Sequence, residues 1–129
     1  MDLVATLTCA DQPGIVHAIT SAILECDGNI LENQQFTDAR SNLFVMRTRF
    51  LTDAKLEKVK VEFDKTLSRF APVITLRESS IRKRALIAVS KESHCMRDLL
   101  YLNEIGELPI EIPVVVSNHG DLASLVQSH

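Results

Sequence analysis

The spacing of apolar residues switches between a period of two and a helical period along residues 3–77, and this order limits the folds open to the chain. Residues 3–9 place apolar side chains at every second position, as strands with a buried face do. A turn-forming Asp-Gln-Pro-Gly run follows at 11–14, and apolar residues then recur at helical spacing from Ile15 to Cys26. The chain therefore opens with a strand, a tight turn and a helix, and Gly28 is expected in the left-handed position after the helix.

Residues 29–77 add two strand patterns, a second helical pattern and a closing strand pattern. The alternation is weak over 29–37 and strong over 43–51, and the polar residues between them predict a hairpin loop. Apolar residues from Leu56 to Phe70 lie on one face of a predicted helix, and Asp53 is the expected cap of that helix. Residues 71–77 are predicted to form a strand. The order β-α-β-β-α-β is the ferredoxin-like arrangement, so we predict an α+β domain over residues 1–80.

A polar and basic stretch at 78–84 marks a boundary, beyond which the pattern of the chain changes. The runs 85–89 and 112–116 are continuously apolar, which is typical of parallel strands covered on both faces. Ser93 is the expected cap, and Gly106 the expected stop, of a helix between these runs. Residues 85–117 are therefore predicted to form one β-α-β unit.

A further helical pattern starts at Asp121, close to His129, the last residue of the sequence. Two parallel strands with one complete helix cannot cover both faces of a sheet, and doubly wound folds need several more strands to do so. We therefore expect residues 81–129 to be the opening of a larger, Rossmann-like α/β domain that is incomplete in this chain.

Composition excludes several classes of protein. Hydrophobic residues make up 46% and charged residues 24% of the chain, as in ordinary globular domains. The net charge of −3 carries no basic excess and aromatic residues are few, so nucleic acid is not an expected partner. The sequence has neither a basic and apolar leader nor an apolar run of about 18 residues, so we expect a cytoplasmic protein without a membrane span.

The three cysteines, Cys9, Cys26 and Cys95, are odd in number and form no C-x-x-C pair, so reduced thiols are expected rather than a disulfide framework. Cys95 stands near a predicted helix start, where a thiol pKa can fall, but we expect it to be a small buried residue. His94, Cys95 and His119 have neither a short ligand repeat nor an acidic cluster, so we expect no metal site.

The run Asp11-Gln12-Pro13-Gly14-Ile15-Val16, together with Asn29-Ile30, resembles an ACT domain. ACT domains are small regulatory modules of β-α-β-β-α-β order that commonly bind amino acids near this loop and pair sheets or helices between copies. The motif also has a physical rationale, because Pro13 fixes the backbone and Gly14 removes a side chain where the helix start presents free N–H groups to a carboxylate.

The residues beyond position 80 are more specific. Arg82-Lys83-Arg84, Val89-Ser90-Lys91-Glu92-Ser93-His94-Cys95-Met96-Arg97-Asp98-Leu99-Leu100, Gly106-Glu107-Leu108-Pro109-Ile110-Glu111-Ile112 and Val116-Ser117-Asn118-His119 are together similar to the formyltetrahydrofolate deformylase family. In that family an ACT domain precedes a formyltransferase-like domain, and the resemblance spans essentially the whole chain. It implies hydrolysis of 10-formyltetrahydrofolate by water to formate and tetrahydrofolate, which supplies formate to purine synthesis, and no cofactor besides this substrate.

The resemblance also implies a catalytic Asn, His and Asp in the later part of the catalytic domain. No such set can be assigned in this chain, so we expect residues 1–129 alone to be inactive. The remaining alternative is a stand-alone ACT-type protein that binds amino acids or dimerises. A coding region that continues with more strands and the Asn, His and Asp set would favour the enzyme, and a genuine stop at His129 would favour the alternative.

Two loops follow the predicted parallel strands, at the edge where open α/β sheets place ligands. Related transformylases carry a glycine-rich phosphate-binding sequence at the first loop, whereas this chain has Ser-Lys-Glu-Ser-His-Cys. Lys91, His94 and His119 are therefore candidates to line the water side of the pocket. The alternative is structural, with Ser93 as a cap, Lys91 solvated and His94 a hydrogen-bonded helix residue.

The resemblance to ACT domains assigns an effector site to Asp11, Gly14, Ile15, Asn29 and Ile30. The implied effectors are small amino acids such as glycine and methionine, and the implied assembly is a homo-oligomer formed through this domain. The alternative is that Asp11 and Asn29 only stabilise turns and that the domain serves as an oligomer interface.

Overall fold

A computed structural model describes all residues from Met1 to His129. The chain divides into two compact units, Met1–Ile81 and Arg82–His129. No helix in it is both long enough and apolar enough to cross a membrane.

The first unit has the predicted element order. Its elements are β1 (Asp2–Ala10), α1 (Ile15–Glu25), β2 (Asn29–Asp38), β3 (Leu43–Leu51), α2 (Leu56–Leu67), a 3₁₀ turn (Ser68–Phe70) and β4 (Val73–Glu78). The strands form one sheet in the order β2-β3-β1-β4, and every neighbouring pair is antiparallel. The ferredoxin-like prediction is confirmed, with β2 and β4 as the two edge strands.

One face of this sheet carries the core of the unit. Because side chains alternate across a strand, Leu3, Ala5 and Leu7 of β1 all point to the face that is packed against the helices. The helices contribute Ile19 and Phe63, among others, to the same buried cluster. This burial is the main stabilising term, at about 25 cal/mol for each Å² of apolar surface removed from water.

The end of α1 differs from the sequence-based expectation. Asp27, with φ of 52°, holds the left-handed position, and Gly28 does not. The Asp27 amide donates to the carbonyl of Leu24 at 2.9 Å, and the Gly28 amide donates to that of Ile23 at 2.9 Å, which is a Schellman arrangement. Gly28 is required for space instead, since a Cβ there would lie 2.5 Å from Cγ2 of Ile23 and 2.7 Å from its carbonyl oxygen.

The start of α2 also differs, and the prediction that Asp53 caps this helix is wrong. The residue in the N-cap position is Lys55, and no side chain caps the first turn. The buried Thr52 organises the approach to the helix, because its hydroxyl donates to the carbonyl of Cys26 at 2.5 Å and accepts from the amide of Ala54 at 3.0 Å.

The second unit contains β5 (Lys83–Val89), α3 (His94–Glu104), β6 (Ile110–Ser117) and the short α4 (Ala123–Gln127). The strands β5 and β6 pair in parallel, as predicted for a β-α-β unit. Gly106, with φ of 81°, follows α3 in the left-handed region, and α4 begins two residues later than the predicted start at Asp121.

The core of the second unit is small. Only Ile87, Met96 and Leu100 form its cluster of buried apolar residues. The strand residues Leu86, Val114 and Val116 remain exposed, so this two-stranded sheet has an uncovered apolar surface.

Candidate functional site

The loop between β1 and α1 forms the first candidate site. Gly14 adopts φ of 94° as the N-cap residue, and no side chain caps the first turn of α1. The amide of Asp11 donates to the carbonyl of Asn42 at 2.9 Å, which ties this loop to the β2–β3 hairpin. The first amides of α1 are therefore available to a carboxylate, and the helix dipole favours negative charge at the same place.

A residue from the far end of the unit also reaches this loop. The 3₁₀ turn after α2 places the guanidinium of Arg69 above Gly14, where a Cβ would lie 2.9 Å from Nη2. The Arg69 guanidinium lies 4.4 Å from the centre of the buried Phe70 ring, in cation–π geometry. The sequence analysis missed Arg69, because no local pattern predicts a contact between residues as far apart along the chain as Gly14 and Arg69.

The five predicted effector residues do not form one cluster within a single chain. Asp11, Gly14 and Ile15 lie together at the N-terminal end of α1, whereas Asn29 and Ile30 begin β2 after the helix has ended. The 11 residues of α1 separate the two groups by about 16 Å at 1.5 Å per residue. Asn29 and Ile30 are both exposed.

Sheet register confirms that the two groups lie at opposite ends. The first residue of β2, Asn29, pairs with Leu51, which also pairs with Asp2 at the start of β1. The last residue of β2, Asp38, pairs with Leu43, which also pairs with Ala10 next to the loop.

The thiol nearest this loop is not reactive. Burial raises the pKa of Cys9, and the charge of the Asp11 carboxylate raises that pKa further. Cys9 therefore stays protonated at neutral pH and behaves as a small core residue.

The second candidate site lies where β5 and β6 end. The hydroxyl of Ser117 donates to the carbonyl of Ser90 at 3.5 Å and accepts from the amide of His119 at 3.1 Å, so the two loops meet. A cavity of about 150 Å³ adjoins them and is lined by Val89, Val115, Ser117, His119, Leu122, Ala123, Val126 and Gln127. His119 lines this cavity, but the exposed Lys91 and His94 do not.

Of two sequence-based expectations about the start of α3, one is wrong and the other is confirmed in position only. Cys95 is exposed rather than buried, because Met96 occupies the inward position of this turn. Ser93 occupies the N-cap position, as predicted, but its hydroxyl accepts from Nε of Arg97 at 3.0 Å and does not cap an amide. No three His, Cys, Asp or Glu side chains in the chain converge as metal ligands.

Comparison with known proteins points to one family. No protein-family model matches the sequence. A formyltetrahydrofolate deformylase of Corynebacterium sp. (strain P-1) is 37% identical over 127 residues, which are 96% of this chain and 44% of that protein. The Bacillus subtilis (strain 168) formyltetrahydrofolate deformylase is 36% identical over 94% of this chain and 42% of its own length. The chain thus spans less than half the length of the curated relatives it matches.

Solved structures agree with these relatives. The structure of a formyltetrahydrofolate deformylase from Burkholderia mallei superposes with a TM-score of 0.83 at 32% identity, covering 100% of this chain and 46% of that one. An ACT domain protein from Streptococcus pneumoniae matches 62% of this chain and 91% of its own, with a TM-score of 0.54 at 22% identity. The resemblance to formyltetrahydrofolate deformylases and the ACT-type fold, both expected from the sequence, are confirmed.

Proposed function

We propose, from the similarity of this chain to formyltetrahydrofolate deformylases, that it is the N-terminal part of such an enzyme. The complete protein would hydrolyse 10-formyltetrahydrofolate with water to formate and tetrahydrofolate, and so supply formate to purine synthesis. The observation that carries this proposal is that the likeness to the deformylases extends through both units. According to this proposal, residues 1–80 are regulatory and residues 81–129 begin the catalytic domain.

A chimera tests the catalytic part of the proposal. This chain would replace the matched part of the Bacillus subtilis deformylase, and formate release from 10-formyltetrahydrofolate would be measured. We expect the chimera to release formate, whereas residues 1–129 alone should stay at background because they hold no assignable Asn, His and Asp set. A folded chimera without activity, beside an active parent enzyme, would contradict the proposal.

The pocket residues are tested in the same chimera. His119 lines the cavity at the ends of β5 and β6, which supports a place beside the substrate. Replacing His119 by Ala should lower the rate of formate release, while His94→Ala and Lys91→Ala should have smaller effects because both side chains lie outside the cavity. Equal rates for all three variants would contradict a role for His119.

For the regulatory unit we propose that small amino acids, such as glycine or methionine, bind at the loop formed by Asp11, Gly14 and Ile15. The uncapped amides of α1 would receive the carboxylate, with the Arg69 guanidinium nearby. The exposed Asp11 carboxylate would attract the ammonium group.

The separation of Asn29 and Ile30 from this loop supports a site shared between two copies. If the edge strands β2 of two copies pair antiparallel about a two-fold axis, the start of one β2 lies beside the end of the other. The end of β2 is the end that adjoins the Asp11 loop. Asn29 and Ile30 of the second copy would therefore complete the site, which also fits a homo-oligomer formed through this domain.

Complementation between variants tests the shared site. Asp11→Ala and Asn29→Ala both alter exposed residues, and each should abolish the heat of glycine or methionine binding in calorimetry. In an equal mixture, each mixed dimer would hold one intact site, so about a quarter of all sites should recover. If the mixture binds no better than either variant, the site is not shared, and if neither amino acid binds the unaltered chain, the effector assignment is wrong.

A further inference from the structure

A groove lies between α2 and the edge strand β4, on the opposite edge of the sheet from β2. Two cavities of about 420 and 210 Å³ share Asp64 and Ile74 as lining residues and so form one continuous depression. The apolar side chains along it are Phe63, Leu67, Ile74 and Leu76. We call this depression the α2–β4 groove.

The backbone beside the groove is also unpaired. The amide of Ser79 donates to the carbonyl of Asp2 at 2.8 Å, which fixes the hydrogen-bonding phase of β4 against β1. Because that phase alternates along an antiparallel pair, the amides and carbonyls of Ile74 and Leu76 point away from β1. Edge groups of this kind can accept a further strand.

We propose that the α2–β4 groove is an interface for a second copy of this chain, with the two β4 strands antiparallel about a two-fold axis at Thr75. In that register Ile74 of one copy lies opposite Leu76 of the other, and their outward amides and carbonyls exchange hydrogen bonds. The apolar grooves of the two copies then face each other across the joined edge.

Charge selects this register over its neighbours. Lys60 lines the part of the groove at Leu76, and Asp64 lies by Ile74 in both cavities. A two-fold axis at Thr75 exchanges these positions, so Lys60 of each copy faces Asp64 of the other. An axis at Ile74 would instead oppose the two Asp64 carboxylates, and an axis at Leu76 would oppose the two Lys60 ammonium groups, both at a cost.

The two charges are available for this contact. Asp64 makes no ion pair within the chain, and Lys60 pairs only with the exposed Glu57 of its own helix, at 3.0 Å. The contact uses the β4 edge, so it does not depend on the amino-acid site proposed at the β2 edge.

Charge exchange tests the interface by sedimentation velocity over a range of chain concentrations. Each dimer has two contacts between residue 60 of one copy and residue 64 of the other. Lys60→Asp and Asp64→Lys each place like charges at both contacts, and each should raise the dissociation constant of the dimer by about tenfold. The double variant K60D/D64K restores opposite charges and should return the dissociation constant to that of the unaltered chain. Lys58→Asp, on the same helix outside the groove, is the matched control.

The proposed interface is contradicted if either single variant associates as tightly as the Lys58→Asp control. It is also contradicted if the double variant associates no more tightly than the single variants. Amino-acid binding, measured on the same variants, should remain unchanged. If the unaltered chain binds neither glycine nor methionine, that result counts against the effector site alone.

Discussion

At the scale of single residues, the ion pair between Asp2 and Arg49 joins β1 to β3. The Arg49 guanidinium donates from Nη2 to Asp2 at 2.6 Å and from Nε at 3.0 and 3.2 Å, in a forked contact. The hydrogen bond from Arg49 lowers the pKa of Asp2 below its ordinary value of 3.8. A depressed carboxyl pKa stabilises the fold above the unfolded value and ceases to do so as pH falls through the folded value.

Replacing Asp2 by Asn should therefore have a pH-dependent effect. The side chains of Arg49 and Asp2 are 40% and 31% exposed, so we expect the loss to be only about 0.5 kcal/mol of unfolding free energy at pH 7. The loss should stay constant down to about pH 5 and vanish below the lowered pKa of Asp2. Urea unfolding at pH 7, 5 and 3 measures this, and a difference that grows toward pH 3 would contradict the account.

At the scale of elements, the end of α1 gives opposite predictions for two adjacent residues. Asp27→Gly should stabilise the first unit by about 1 kcal/mol, since it relieves a left-handed non-glycine residue and removes a negative charge at a helix C-terminus. Gly28→Ala should destabilise it by about 2 kcal/mol or more, because the new Cβ would meet the carbonyl of Ile23 at 2.7 Å.

Thermal unfolding of the two variants decides the point. Had Gly28 held the left-handed position, as the sequence suggests, Asp27→Gly would be neutral or harmful. Equal melting temperatures for the two variants would contradict the geometry of this helix end.

Periodicity predicts the elements well and their ends poorly, for a physical reason. The strand over residues 43–51 was predictable to the residue, because alternation between buried and exposed side chains is set by the strand itself. The cap predicted at Asp53 is wrong, and Ser93 holds its predicted N-cap position without a side-chain cap bond, because capping depends on which backbone amide a side chain reaches. Arg69 could not be predicted at all, because its contact with Gly14 exists only after α2 has packed.

At the scale of the whole molecule, the two units differ in how much they bury. The first has a cluster of many buried apolar residues on one sheet face, whereas the second has three. Met96 is the most buried of the three, at 1% exposure. The second unit should therefore open more readily than the first, since local stability follows buried apolar contact.

Met96→Ala should unfold the second unit and leave the first intact. The expected loss is about 2–5 kcal/mol, typical of a buried Met to Ala change. Hydrogen exchange followed by mass spectrometry should show faster exchange in β5, α3 and β6, with β1 and β3 still protected. Phe63→Ala is the matched change in the first unit and should give the reverse pattern, and faster exchange in both units for Met96→Ala would contradict their independence.

The length of α1 affects how the protein would respond to an amino-acid effector. The proposed site, split between the N-terminal end of α1 in one copy and the start of β2 in another, would exist only in the assembled state. Ligand binding and assembly would then be thermodynamically linked, each strengthening the other by the same factor. The half-saturating amino-acid concentration would fall as the chain becomes more abundant, so the abundance of the protein would set its own sensitivity.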